Sequence, residues 1–169
     1  ALVPSSGEER GLVSLPAEPN ALSMLQSTLP FVQGLHSRGS GIVIAQIRKK
    51  SEEDAPKAID YLLTNFRTKL VIVTDEDVDI SNPDEVDWAL TTRVRPDRDV
   101  IIKTGLPTGS TDPSASGHER LSDFATLVGK TSKMGIDATK PLDELERFEK
   151  IDFPAKVKEK ISAMMQRYL

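Results

Sequence analysis

The sequence predicts an α/β layered domain with a mixed, mostly buried sheet of about five strands flanked by helices. Three observations carry that prediction. Ile42–Ala45, Leu70–Val73 and Val100–Ile102 are short continuous apolar runs, as strands covered on both faces should be. The stretches between them repeat apolar residues at helical spacing. The alternation of the two patterns points to layered α/β architecture. The chain is 169 residues long, enough for one domain at roughly 150 residues each.

Each element follows from local chemistry. Residues 1–16 carry Pro4, Gly7, Gly11 and Pro16 without periodicity, and are expected to form a connector or exposed arm. Leu22, Leu25 and the following Leu29 predict a helix over Glu18–Thr28, ended by Pro30. Phe31 to Ser37 alternates as an edge strand would, and Arg38-Gly39-Ser40-Gly41 is a turn. Asp54 is the expected N-cap of the next helix, with Pro56 in its first turn. Ala55, Ala58, Ile59, Leu62, Leu63 and Phe66 trace that helix's inner face.

Asn82 and Pro83 open the following helix as cap and first residue. Asp84 and Glu85 sit in its first turn, where the helix dipole favours acids. Val86, Ala89 and Leu90 give its inner face, and Pro96 marks the exit. Gly105–Gly117 is rich in Gly, Pro, Ser and Thr and predicts a loop, weakly patterned to about Lys130. A loop that long inside a compact domain is often functional. Lys133–Ala138 predicts another strand. Pro154 opens a closing helix whose Val157, Ile161, Met164, Met165 and Tyr168 share a face. Met164, Met165, Tyr168 and Leu169 make that helix a candidate contact surface for another domain or subunit.

Composition excludes several classes. The absence of cysteine excludes a disulfide scaffold, a thiolate zinc site and a Cys nucleophile. A formal net charge of −4 argues against a nucleic-acid partner, which needs a basic excess. No apolar run approaches the ~20 residues of a membrane helix, and no signal peptide is evident. A soluble, cytoplasmic protein with no membrane partner is the expectation. The charge is also localised. Seven acids and no base lie between Asp75 and Asp87, leaving 19 acids against 22 bases elsewhere.

That acidic stretch follows a predicted buried strand. Ligands gather outside the carboxyl ends of strands in open α/β sheets. Asp75-Glu76-Asp77 can therefore be read as a DxD cation site of a nucleotide-sugar transferase, or as a solvated turn entering a helix. A calcium loop is excluded, because Ile80 and Val86 stand where Gly and a bidentate Glu are needed. Gly129-Lys130-Thr131 is not a P-loop, since Phe124 occupies the first glycine position. His36 and His118 have no acid–nucleophile arrangement around them and read as surface residues. The Lys156, Lys158, Lys160 series reads as a solvated helix face.

Three ordered segments carry a resemblance. They are Val71-Ile72-Val73-Thr74-Asp75-Glu76-Asp77-Val78-Asp79, Trp88-Ala89-Leu90-Thr91-Thr92-Arg93-Val94-Arg95-Pro96-Asp97-Arg98-Asp99, and Thr131-Ser132-Lys133-Met134-Gly135-Ile136-Asp137-Ala138-Thr139-Lys140-Pro141. Asp112-Pro113-Ser114-Ala115 lies between the last two, and Leu15-Pro16-Ala17-Glu18 precedes the first. Together they resemble the C-terminal domain of the UbiD-type decarboxylases over residues 8–153. The resemblance divides the chain into a connector (1–16) from a missing central domain, the α/β domain (17–153) and a C-terminal helix (154–169).

The resemblance implies a non-oxidative, reversible decarboxylase of aromatic or α,β-unsaturated acids. The family uses prenylated FMN with a divalent metal, usually manganese, and often potassium. The flavin acts as electron sink, so the cofactor carries the hard chemistry. The family's proton-transferring Arg and two Glu belong to the N-terminal and central domains, as do most metal and flavin ligands. No catalytic, metal or cofactor-binding residue is therefore assigned to this chain, and no cofactor is expected on it alone. Asp84 stands where some relatives have a Lys suited to the flavin phosphate.

Leu90, Met134 and Ile136 are implied as apolar wall of the substrate pocket. The partners implied are the N-terminal and central domains and further copies in a dimer or hexamer. The acidic turn is implied to be structural, fixing the helix that carries Leu90. The isolated chain is expected to be inactive. Two other readings stand beside this one: an assembly subunit with no pocket role, and the DxD-dependent transferase.

Overall fold

The chain forms, in order, α1 (Glu18–Thr28), β1 (Val32–Arg38), β2 (Ile42–Ile47), α2 (Asp54–Asn65), β3 (Leu70–Asp75), α3 (Pro83–Arg93), β4 (Val100–Gly109), β5 (Ser116–Arg120), β6 (Leu127–Ala138), a 3-10 turn at Leu145–Phe148 and α4 (Ala155–Met165). The computed structural model describes residues 18–39, 41–109, 112–120, 127–148 and 154–166. The expected connector (1–16), the side chain of His118, Tyr168 and Leu169 lie outside that description. One mixed sheet runs β1-β2-β3-β6-β4, with β5 paired to β6 off this path. β2, β3 and β6 are parallel, so their carboxyl ends share one edge. β1, β4 and β5 pair antiparallel.

The apolar runs are explained by cover on two faces. Val43, Ala45, Ile47, Val71 and Val73 face α1 and α2 and join Leu25, Ile59, Leu62 and Leu63 in one core. Ile44, Ile72 and Ala138 point the other way, beneath Val86 and Ala89 of α3. Each fully buried aliphatic side chain contributes about 1.5–3 kcal/mol. Gly135 sets the distance between β6 and α2. A Cβ built there would lie 2.1 Å from Ile59 Cγ2, so only glycine allows this approach.

Lys133, also on the α2 side of β6, is only 1% exposed. Its Nζ donates to the carbonyls of Leu63 and Phe66, both at 2.8 Å. These are carbonyls at the end of α2, where a cation also complements the helix dipole. Lys69 ties a second group of segments together. Its Nζ donates to Asp112 Oδ2 at 2.9 Å, to Ser114 Oγ at 2.7 Å and to Thr131 Oγ1. The Asp112-Pro113-Ser114-Ala115 segment is thereby fastened to the start of β3 and the middle of β6.

Three expectations are corrected. Asp54 is the first helical residue of α2, not its cap. Glu53 holds the cap position without a side-chain cap bond. The Asp54 carboxylate turns backwards and accepts from the N–H groups of Lys50 (2.8 Å) and Ser51 (2.9 Å). The expected loop from Gly105 is largely sheet: β4 continues to Gly109, β5 follows, and β6 begins at Leu127. Gly105, at φ 70°, sits in a register shift between Lys103 and Leu106 that breaks the in–out alternation of the strand. Pro107 is tolerated because β4 is an edge strand. Third, Val100–Ile102 is not buried on both faces. Ile101 packs on the α2 side, whereas Ile102 is 66% exposed on the other.

The cap at Asn82 is as expected: its Oδ1 accepts from the Asp84 N–H at 3.0 Å. On α4, Val157, Ile161, Met164 and Met165 are exposed.

Candidate functional site

The acidic stretch is a strand–turn–helix joint held by cations. β3 ends on Asp75, and the turn after it brings Asp77 alongside. Arg93, the last residue of α3, reaches back to both. Its Nη1 donates to Asp75 Oδ2 at 3.0 Å, and Nη1 and Nη2 donate to the two Asp77 oxygens at 3.1 and 2.8 Å. This fork geometry suits guanidinium and no other side chain. The guanidinium is fully buried and lies 4.8 Å from the centroid of the Trp88 ring. Lys140 adds its backbone N–H to Asp75 Oδ2 at 2.7 Å and its Nζ to Asp77 Oδ2 at 3.0 Å.

Burial pushes the Asp75 carboxyl above its ordinary value, against the pull of the Lys140 N–H and the Arg93 charge. Desolvation works the same way on Asp77. There the hydrogen bonds from Arg93 and Lys140 outweigh it, and the carboxyl is held below the usual range. Both carboxylates are occupied by protein donors. Among the described residues, no group of three His, Cys, Asp or Glu side chains could hold a metal ion. Further along the turn, Asp79 Oδ1 accepts from the Ser81 N–H and hydroxyl, and Glu85 Oε2 accepts from the Asp79 N–H.

The joint positions α3 over part of the sheet, and among the described residues Met134 and Ile102 are exposed farther along that face. Leu90 is half-buried against the cluster that contains Ile72, as is Leu70. Met134 and Ile136 alternate along β6 onto the same face. In register, Met134 lies between Leu70 of β3 and Ile102 of β4, and Ile136 between Ile72 and Val100. Met134 and Ile136 therefore belong to one apolar grid on the sheet, and Leu90 packs against the neighbouring cluster on the same face. Exposure across it rises with distance from α3: Ile72 is 4% exposed, Met134 36% and Ile102 66%. Leu70, Val100 and Ile102 were not expected in this grid. Their apolar runs look like ordinary core in the sequence, and only the register and the limited span of α3 separate covered from uncovered positions.

A cleft of about 610 Å³ opens on the opposite face, at the shared carboxyl edge, lined by Lys49, Pro56, Ile101, Asp137, Thr139 and Leu142 among others. Several of its polar groups are engaged within the chain. Lys49 Nζ donates to the Lys140 carbonyl and pairs with Glu52. Burial pushes the Asp137 carboxyl up, although Thr139 donates to it through both N–H and hydroxyl. Of the sequence candidates, Leu90, Met134 and Ile136 lie on the same side of the sheet, and the acidic turn anchors the helix that carries Leu90. His36 is on the outer strand β1, opposite Ile44 and so on the same face, at the edge of the sheet farthest from β4.

The profile of the 3-octaprenyl-4-hydroxybenzoate carboxy-lyase C-terminal domain matches residues 11–138. The chain belongs to this UbiD C-terminal domain family. Among curated UbiD relatives, the anhydromevalonate phosphate decarboxylase of Methanothermobacter thermautotrophicus is 34% identical over 156 residues. That match takes in 89% of this chain and 34% of the relative. The gallate decarboxylase of Lactiplantibacillus plantarum is 28% identical over 162 residues, covering 90% of this chain and 33% of the relative. The chain thus spans about a third of the length of these relatives.

Among solved structures, the UbiD-class enzyme HmfF from Pelotomaculum thermopropionicum, in complex with FMN, superposes with a TM-score of 0.69 at 34% identity. The superposition covers 81% of this chain and 30% of that one. An evolved dimeric form of HmfF in complex with prFMN gives a TM-score of 0.58 at 31% identity, covering 81% of this chain and 27% of that one. No helix among the described residues is long and apolar enough to cross a membrane.

Proposed function

We propose that this UbiD C-terminal domain works within a prFMN-dependent, non-oxidative decarboxylase and forms one wall of its substrate pocket. The observation that carries the proposal is the open apolar grid around Met134 and Ile136 beside Leu90. A large uncovered apolar face rimmed by a fixed helix is where a domain meets a ligand or another domain. The carboxylic acid's ring or chain rests on Leu90, Met134 and Ile136, and their size sets which acids fit. The likeness to an anhydromevalonate phosphate decarboxylase and to a gallate decarboxylase supports an α,β-unsaturated or aromatic acid as the substrate class.

The cofactor is held elsewhere in the enzyme. The start of α3 does not suit a flavin phosphate, because Asp84 is exposed there and Glu85 follows it. Asp75 and Asp77 do not suit manganese or potassium, because Arg93 and Lys140 already occupy them. The N-terminal and central domains supply flavin, metal and proton-transferring residues, and the assembled enzyme is a cytoplasmic homo-oligomer. Purified chain supplied with prFMN should turn over no aromatic or unsaturated acid, and decarboxylation should appear once those domains are present. Turnover by the isolated chain would overturn the proposal.

A second reading rests on the exposed Val157, Ile161, Met164 and Met165 of α4, which favour a role in assembly. Leu90→Phe separates the two. A changed acid preference supports the pocket role. Unchanged kinetics, with oligomer size altered by substitutions in α4, support assembly alone.

A further inference from the structure

Ile102 is the most exposed large apolar side chain among the described residues of the sheet, at 66%. Its direction is fixed by two neighbours. Ile101 packs into the core beneath α2, and Lys103 pairs with Asp60 of α2. Strand residues alternate, so Val100 and Ile102 face the other way. On that side Ile102 stands directly opposite Met134, and Val100 directly opposite Ile136. Side chains opposite each other on one face lie about 4.5–5.5 Å apart at Cβ and act as one surface. Ile102 therefore continues the wall of Leu90, Met134 and Ile136 away from α3. The β4–β6 register shift begins only after Lys103, so these pairs lie in the regular part of the ladder.

We propose that Ile102 is a further specificity-determining residue of the pocket and contacts the end of the acid farthest from α3. This inference rests on the pocket reading above. Leu90 bounds the near end of the wall, Met134 and Ile136 form its middle, and Ile102 bounds the far end. Long acids reach Ile102 and short ones do not. A polar residue opposite Met134 would have suited a solvated edge strand, whereas isoleucine there extends the exposed apolar surface of Met134 to the edge of the sheet.

The test uses the assembled decarboxylase with a panel running from crotonate through cinnamate to 4-phenylcinnamate. kcat/KM is measured for Ile102→Ala, Ile102→Trp and Ile136→Ala. The expected result is a change of about tenfold in the long-to-short ratio for the Ile102 variants, in opposite directions for Ala and Trp, as methylene-scale pocket changes give. A residue that only holds domains together would lower kcat/KM equally for every acid, and that result overturns the inference. If Ile136→Ala shifts preference while both Ile102 variants leave the ratio unchanged, the inference falls and the pocket reading stands. If neither position shifts the ratio, or no acid is turned over, both fall.

Discussion

Arg93 and Asp75 meet at 3.0 Å with the guanidinium fully buried, and this pair joins the last residue of α3 to the last residue of β3. Leu90 lies one turn back along the same helix. Its position over the sheet therefore depends on the bonds of Arg93 to carboxylates 18 and 16 residues away in sequence. Asp77 and Lys140 complete the network.

Removing Arg93 should be severe. Arg93→Met leaves the Asp75 and Asp77 carboxylates without their main cation, and breaking one side of a buried pair costs about 3–5 kcal/mol. Arg93→Lys should recover little, because an ammonium cannot span both carboxylates. Urea unfolding of the isolated domain measures this, and a loss below about 1 kcal/mol, the surface-pair range, contradicts it.

Lys133 gives an alkaline signature. Its burial, aided by the nearby Lys69 charge, pushes the ammonium from 10.5 down to about 8. Between those values the unfolded chain holds more protons than the folded one, so this group makes stability rise with pH. Below pH 8 both states are charged and the burial cost is fully present. The stability of wild type minus that of Lys133→Met should increase from pH 8 towards 10. A flat difference across that range would contradict the assignment.

Asp112 gives an acidic signature of opposite sense. Hydrogen bonds from Lys69 and Ser114 hold its carboxyl far below the ordinary 3.8. Its contribution is present above that value and is lost as pH falls towards the folded-state pKa. Asp112→Asn should flatten the acid limb of the stability profile, measured as urea midpoint between pH 5 and 2. An unchanged limb would mean the Lys69 cluster does not form in solution.

The contact between Gly135 and Ile59 predicts a coupled pair. Gly135→Ala places a methyl 2.1 Å from Ile59 Cγ2 and should cost about 1–3 kcal/mol by overpacking. In an Ile59→Ala background most of that penalty should vanish, so the double-mutant cycle has a large coupling term. Additive losses would show that β6 and α2 do not approach this closely.

The elements written in strong patterns were legible: α1 to α3, the buried strands β2 and β3, and the Asn82 cap. The Gly105–Lys130 region was not. Its strands are held by main-chain bonds to β6, and Gly105, Pro107 and the register shift erase any side-chain period. Asp54 was misplaced because a carboxylate beside a helix start can bond upstream or downstream, and the sequence does not say which. The proposed wall residues Leu90, Met134 and Ile136 came from ordered family motifs. Ile102 did not, because an apolar residue facing an uncovered surface reads the same as one in the core. Arg93 and Lys140 lay in the recognised segments, but nothing local reveals that they converge on Asp75 and Asp77.

The measurement that bears most directly on the account is the acid preference of the assembled enzyme carrying Ile136→Trp. If the open grid is the pocket wall, kcat/KM for cinnamate should fall about tenfold or more relative to crotonate, with oligomer size unchanged. An unchanged cinnamate-to-crotonate ratio in a correctly assembled enzyme would contradict it.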